Sequence, residues 1–413
     1  MGQATGNGQQ ATGACSGAHQ CATVPASALA ALNQMREAGF PAYLVGGCVR
    51  DSLLGREPGD WDITTVALPE QVKAVFAGER IIETGLKHDT VTVLLEGTPL
   101  EITTFRTEAG YADHRHPDAV AFTPSLEEDL ARRDFTINAM AWNPEDGIVD
   151  PFDGRADLER KLVRCVGDPR ARFNEDALRI LRALRFSSQL AFSVEQSTAE
   201  AAFALRQTLE LVSRERIAVE LTKLLCGPKA AETVREFWPI LAVPLPELEP
   251  MAGLDQRSPY HCYDVLEHCI AAMEAGPPDR FLRWAALLHD VGKPAAASVD
   301  AKGVGHFYGH APLGAELTRG ILTRLRFDRE TVRRVTRLVE LHDFPIAPPE
   351  GSPERAIRRL LGKLGEEDFF RLLALKRADA LAHHPDYRGR AADCERFEQL
   401  ARQLLEQQSC FRL

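Results

Sequence analysis

Residues 43–65, YLVGGCVRDSLLGREPGDWDITT, constrain this chain more than any other stretch. The apolar run Tyr43-Leu44-Val45 reads as a short strand, and Gly46 and Gly47 end it. Arg50 follows on a predicted helix start. A turn rich in Gly and Pro then leads to a second apolar run, in which Asp60 and Asp62 alternate around Trp61. Strand, glycine turn, helix and returning strand demand a mixed α/β unit. Without a Cβ, the glycines let backbone N–H groups approach an anion closely. A helix N-terminus behind them favours the same charge. Residues i and i+2 of a strand share a face, so Asp60 and Asp62 can serve one cation cluster while Trp61 turns to the core. Hard carboxylate oxygens beside a phosphate site suit Mg²⁺. The segment therefore predicts metal-assisted chemistry on a nucleoside triphosphate.

Taken singly, a Gly-Gly pair is a turn and an Asp-x-Asp pair is a strand end or a cap. Their combination, with twelve residues (48–59) between Gly47 and Asp60, resembles the signature of the DNA polymerase β-like nucleotidyltransferases.

The 413 residues suffice for about two to four domains. No apolar run approaches the ~20 residues of a membrane span, so no membrane partner is expected. Residues 1–25, rich in Gly, Ala, Gln and Thr, lack the pattern of a signal or transit peptide and are expected to form a disordered tail. Nine cysteines include no Cys-x-x-Cys pair, which argues against a zinc ribbon or a disulfide framework and for a cytoplasmic setting. Cys48, inside the glycine motif, is expected to be a packing residue. The net charge of −10 weighs against nucleic acid as a partner, but distribution matters more than the sum. Arginines gather at Arg132 and Arg133, through 160–185, and at Arg333, Arg334, Arg337, Arg355, Arg358 and Arg359. A polyanion would have to use such patches.

A helix is predicted over 26–40, with Leu29, Leu32 and Met35 on one face. Strand patterns follow at YLVGG, DWDITT, TVTVLLEG and LEITTF, and PEQVKAVFAGE reads as a helix with Pro in its first turn. From 155 onward helical patterns dominate. In LEITTFR, Glu101 faces away from Ile102 and is the best candidate in reach for a third carboxylate, although it reads almost as well as an exposed strand Glu.

The stretches LVGGCVRD, DWDITT, TGLKH, EITTFR, EEDLARRDFTINAMA, DPFDG and EDALRILRALRF run in one order over roughly residues 40–230. Together they resemble the bacterial class II CCA-adding enzymes, tRNA nucleotidyltransferases of the poly(A) polymerase family. The resemblance implies an α+β chain: a mixed α/β nucleotidyltransferase head (26–145), an all-α neck and body (146–250), an all-α HD domain (251–345) and a helical C-terminal extension (346–413). It implies that Gly46, Gly47 and Arg50 lie at the nucleotide phosphates and that Asp60 and Asp62 hold Mg²⁺, with Glu101 beside them. Arg133 would contact the incoming nucleotide and Asn138 would support the sugar. Two residues depart from the family pattern: Asp89, where Gly is usual, and Asp153, where Gly or Asn is common.

In NEDALRILRALRF, Asp176, Arg179, Arg182 and Arg185 recur every third residue, which on one helix makes a slowly wrapping stripe. From the pattern alone this is a solvated, salt-bridged face. Given a nucleotide site, a carboxylate beside a guanidinium matches the base edges of C and A. U and G would leave a polar group unpaired, at about 1–3 kcal/mol each. The resemblance implies that Asp176 and Arg179 form this reader, with Arg182 and Arg185 near phosphates or bracing it.

Further on, His268, His289-Asp290, His310, His342-Asp343 and Asp379 form an ordered array in helical sequence. It resembles the HD phosphohydrolases, whose His and Asp residues bind one or two divalent metals. Mixed imidazole and carboxylate ligands suit Mn, Ni, Co or Fe better than Mg. Lys293 is placed to assist at a phosphate. An HD fold retained only for tRNA docking is the plainer alternative.

The expected partners are the tRNA acceptor end, CTP and ATP; the oligomeric state is open. The rival readings are a poly(A) polymerase, an enzyme adding only CC or only A, and an HD phosphohydrolase with an RNA-binding head. The stretches KHDTVTV and DHRHPD lean toward CCA addition.

Overall fold

The computed structural model describes residues 24–82, 90–110, 119–345 and 352–410. Nearly all of the expected tail, the TGLKH and DHRHPD stretches and Asp89 lie outside these residues.

One compact unit comprises the residues up to Thr107 together with Ala121–Leu158, and a second comprises Glu108–Val120 together with the residues from Glu159 onward. The first opens with α1 (Ala26–Glu37), β1 (Ala42–Val45), α2 (Gly47–Leu53), β2 (Asp62–Thr65) and α3 (Pro69–Val75). It continues with β3 (Arg80–Ile82), β4 (Thr90–Leu95) and β5 (Thr98–Thr104), then β6 (Arg106–Ala109) and β7 (Ala119–Phe122), each of which has two residues in the second unit, and α4 (Leu126–Ala131). Then come β8 (Ala141–Asn143), β9 (Gly147–Val149) and α5 (Gly154–Arg160), whose last turn crosses into the second unit. Seven strands form one sheet in the order β3-β4-β5-β2-β1-β8-β9, while β6 and β7 pair separately. Its last strand lies beyond residue 145. Only β2 and β5 pair in parallel; the other neighbours are antiparallel. Alternation packs Ile63, Ile102, Val91 and Val93 into the core. Trp61, just before β2, is also buried.

Asp153 takes a left-handed conformation, φ +61°. That conformation favours Gly, or Asn and Asp among other residues, which accounts for the residue types common there.

In the second unit β signals nearly vanish, as the sequence predicts. The neck contains α6 (Pro169–Glu175), α7 (Leu178–Leu190), α8 (Gln196–Leu205), α9 (Arg214–Leu225) and α10 (Ala230–Leu241). Next are α11 (Val265–Ala275), α12 (Arg280–Leu288), α13 (Lys293–Ala296), α14 (His310–Arg324) and α15 (Arg329–Leu341). The last three helices are α16 (Pro353–Leu364), α17 (Glu366–Ala382) and α18 (Arg390–Cys410). Asp264, Asp279 and Asp328 cap α11, α12 and α15 by accepting from backbone N–H groups of the first turn. Among the described residues, no helix is long and apolar enough to cross a membrane.

Candidate active site and metal centre

Three carboxylates converge in the first unit. The parallel pairing of β2 and β5 sets Asp62 opposite Glu101. Asp60 lies just before β2, exposed, and is not itself in the strand. Burial, then the charges of Asp60 and Glu101, push the Asp62 carboxyl up to about 6, while Arg133 pulls it down. A buried carboxyl whose pKa is raised further by two acidic neighbours fits a cation site with hard oxygen ligands.

The glycine turn abuts this cluster. Gly46 adopts φ +80°, and a Cβ there would stand 3.1 Å from Arg133 Nη1. Its N–H donates to the Met140 carbonyl at 3.2 Å. The N–H that the Gly46 turn could bring to an anion is therefore not its own. Residue 46 supplies a left-handed turn and space for a guanidinium, and its donor is already used by the chain. Cys48 is buried, and that burial pushes its thiol up to about 11, in keeping with a packing role.

Arg50 donates from Nε and Nη2 to Asp51, both at 2.9 Å, and from Nη1 to Asn138 Oδ1 at 2.6 Å. Asn138 Nδ2 donates to Asp134 Oδ1 at 3.0 Å. Both ends of the Asn138 amide are therefore engaged in orienting Arg50. The reading of the motif overlooked Asp129, which is fully buried on α4. It accepts from Thr64 Oγ1 at 3.1 Å, Arg132 Nη2 at 2.7 Å and Arg133 Nη2 at 3.5 Å. This carboxylate ties both arginines to β2, and its i, i+3 and i+4 spacing from them was a legible signal.

The neck differs from its expected form. Asp176 lies between α6 and α7 in an extended conformation, so the four residues do not form a stripe on one helix. The break lets the Asp176 side chain cap α7, accepting from Leu178 N at 3.0 Å. Asp176 also pairs with Arg216 of α9 at 2.6 Å, and Arg179 pairs with Glu175 at 2.6 Å. Arg182 sits near Phe186, with its guanidinium 5.5 Å from the ring centroid. Arg185 is buried, 3.0 Å from Glu220 of α9 and 4.1 Å from the Phe186 centroid. Arg185 thus braces α7 against α9.

The second unit gathers its six metal candidates. His268, His289 and Asp379 form one trio of ligand atoms and Asp290, His310 and His342 another, with the atoms of each trio within 4.8 Å of one another. His289 Nδ1 faces Ala286 O at 2.9 Å, His310 Nδ1 faces Phe307 O at 2.9 Å, and His342 Nδ1 faces Val339 O at 2.7 Å. A carbonyl only accepts, so each Nδ1 carries a proton, which leaves the Nε2 of His310 and of His342 as the atom that can offer a lone pair to a cation. Burial would lower the pKa of His289, but the carboxylate of Asp290 raises it. His310 Nε2 and His342 Nε2 then face each other at 3.1 Å, with Asp290 Oδ1 at 3.4 Å and 3.6 Å. Two lone pairs and a carboxylate at such distances fit a divalent cation. Burial would push Asp290 up, but His289 and Lys293 beside it hold it well below the usual carboxylate range. Lys293 Nζ lies 2.6 Å from Asp290 and 2.7 Å from Gln256 Oε1.

Sequence reasoning missed His261 and His383, whose rings lie 4.5 Å apart and within 5.2 Å of His268. It also missed Lys376, which donates to the His342 carbonyl. His261 carried no spacing signal, whereas Lys376 and His383 lie three before and four after Asp379, a helical spacing that was legible.

Three family profiles match the chain: the Poly A polymerase head domain over 42–164, the "Probable RNA and SrmB- binding site of polymerase A" over 191–251, and the HD domain over 260–383. The chain is 46% identical over 270 residues to a CCA-adding enzyme of Lactobacillus delbrueckii subsp. bulgaricus, covering 65% of this chain and 64% of that one. It is 51% identical over 215 residues to the CCA-adding enzyme of Geobacillus thermodenitrificans, covering 52% of each. The matches thus span less than two thirds of these curated relatives. The crystal structure of the Bacillus stearothermophilus CCA-adding enzyme in complex with CTP superposes with a TM-score of 0.65 at 34% identity, covering 90% of this chain and 81% of that one. With the carboxylate row of the head and this breadth of similarity, the chain belongs to the family of CCA-adding enzymes.

Proposed function

We propose that this protein adds C, C and A, without a template, to the 3′ end of tRNA from CTP and ATP, releasing pyrophosphate. The observation that carries the reading is the acidic row of Asp62 and Glu101, joined by Asp60 and faced by Arg133. The 3′-hydroxyl attacks the α-phosphate of the bound nucleotide. Asp60, Asp62 and Glu101 would hold Mg²⁺, which when bound supplies charge neutralisation and a more acidic hydroxyl. Arg50 and Arg133 stabilise phosphate charge, oriented by Asn138 and Asp129 respectively. Asp176 and Arg179 read the base edge, exchanging their contacts to Arg216 and Glu175 for contacts to the nucleotide. The CTP complex of a relative supports a triphosphate site of this kind. A cytoplasmic location belongs to the same reading.

The test is incubation with tRNA lacking its CCA end, each NTP in turn and Mg²⁺, followed by 3′-end sequencing. Three added nucleotides, CCA, are expected. An open-ended run of A overturns the reading in favour of a poly(A) polymerase, and CC alone or A alone points to a partial enzyme.

The facing Nε2 lone pairs of His310 and His342 favour a second, metal-dependent phosphohydrolase activity in the HD domain. Release of phosphate from a phosphomonoester, or ring opening of a cyclic phosphodiester to a phosphomonoester, with Mn, Ni or Co and lost on chelation, tests it.

A further inference from the structure

An unneutralised basic groove lies between α14, α15 and the end of α16. Its volume is about 560 Å³, and its cations are Arg319, Arg329, Arg333, Arg337 and Lys363. Arg337 is matched by Glu340 at 2.5 Å. Arg319, Arg329, Arg333 and Lys363 are exposed, and among the described residues no carboxylate lies within ion-pairing distance of them. Arginines nearby are matched: Arg324 with Glu247, Arg334 with Glu330 and Asp368, Arg371 with Asp279. In a chain of net charge −10, four unmatched cations around one groove are a local reversal of sign.

The spacing is informative. Arg329, Arg333 and Arg337 recur every fourth residue on α15, so they advance about 6 Å per step with little rotation about the axis. That step is comparable to the separation of successive phosphates along a nucleic-acid strand. Arg319 and Lys363 flank the row from α14 and α16. The large apolar side chain in the groove, Phe327, already packs edge-on against Trp284 at 5.4 Å, so it serves the core more than a stacked base. Cations in a row without an aromatic platform follow a backbone and do not read bases.

We propose that this groove docks the sugar–phosphate backbone of the RNA substrate. The proposal rests on the reading of tRNA as substrate. It adds a contact surface on the HD-bearing unit, remote in sequence from the residues assigned to chemistry and base selection.

The experiment compares the full-length protein with the triple variant Arg329→Gln/Arg333→Gln/Lys363→Gln. A control, Arg402→Gln, removes an exposed arginine already matched by Glu398. Binding of tRNA is measured without NTPs across a salt series, and thermal melting confirms that each variant folds. The log–log salt slope of the triple variant should fall by about 2–3, at roughly 0.7–0.9 per phosphate contact. Its KM for tRNA should rise about tenfold or more while KM for CTP holds, and the control should match wild type. An unchanged slope and unchanged KM for tRNA overturn the proposal. So does a variant that loses binding only to anionic vesicles or to an acidic peptide. If the wild type binds tRNA but leaves a trimmed 3′ end unextended, the proposed function fails, and the groove is still judged by the salt slope.

Discussion

Asp62 and Glu101 stand opposite one another on two parallel strands that are neighbours in the sheet and distant in the chain. Burial, then the charge of Asp60, then that of Glu101 opposite it, raise the Asp62 carboxyl from 3.8 to about 6. The repulsion among these carboxylates prepares the pair for a cation.

Glu101→Gln and Asp62→Asn should therefore each lower nucleotide addition by about 10²–10³-fold or more, the scale of several kcal/mol of lost charge stabilisation. Single-turnover incorporation into trimmed tRNA measures this. Wild-type rates for either variant would remove the carboxylate row from the chemistry.

The pH dependence has a definite sign. A carboxyl whose folded-state pKa is raised favours the folded state when protonated, so its contribution is fully present below the unfolded value and is lost as pH rises through about 6. Metal-free wild type should thus lose stability relative to metal-free Asp62→Asn between about pH 4 and pH 6, by up to ~2–3 kcal/mol, and the gap should level off above that. Paired urea melts across pH read the difference. Parallel curves for the two proteins would contradict the raised carboxyl.

At Gly46 a methyl group meets two obstacles, a left-handed backbone and Arg133 Nη1 at 3.1 Å. Gly46→Ala should raise KM for both CTP and ATP about tenfold or more by displacing the guanidinium, with a stability loss of about 1–2 kcal/mol. Nucleotide titrations and thermal melts check both values.

Arg216 holds Asp176 from a neighbouring helix. If Asp176 and Arg179 select the base, Arg216→Ala should blur selection among the four NTPs, as Arg179→Ala should, by about 10-fold per lost polar contact. Misincorporation frequencies read this. Selectivity unchanged in both variants would dissociate the pair from base choice.

Metal removal offers a test of the HD cluster. Added Mn²⁺, Ni²⁺ or Co²⁺ should raise the melting temperature of chelator-treated protein, on the scale of ~2.7 kcal/mol at a hundredfold excess over Kd. Asp290→Asn should abolish the shift because Asp290 reaches His310 and His342 from one oxygen. Nucleotide addition should be retained in this variant.

The strand–glycine–helix–strand order of residues 43–65 was legible because local periodicity and Gly placement report nearest neighbours along the chain. Residue types did the same for the HD array, since few other reasons place so many His and Asp residues in helical sequence. Glu101 was named as a candidate beside Asp62, but the pairing that brings it there, and the partners of the other groups, were not legible. Glu101 joins Asp62 through one parallel pairing in an otherwise antiparallel sheet, and register of that kind depends on which hydrophobic faces pack together. The three-residue recurrence of Asp176, Arg179, Arg182 and Arg185 suggested one helix, yet the chain breaks at Asp176 and Arg185 turns inward to Glu220. That the Met140 carbonyl accepts the Gly46 N–H was not legible either. Sequence alone specified the kinds of groups this protein brings to phosphate chemistry. Which groups face one another was decided by the tertiary structure, because hydrogen bonds and ion pairs form between elements whose adjacency only packing creates.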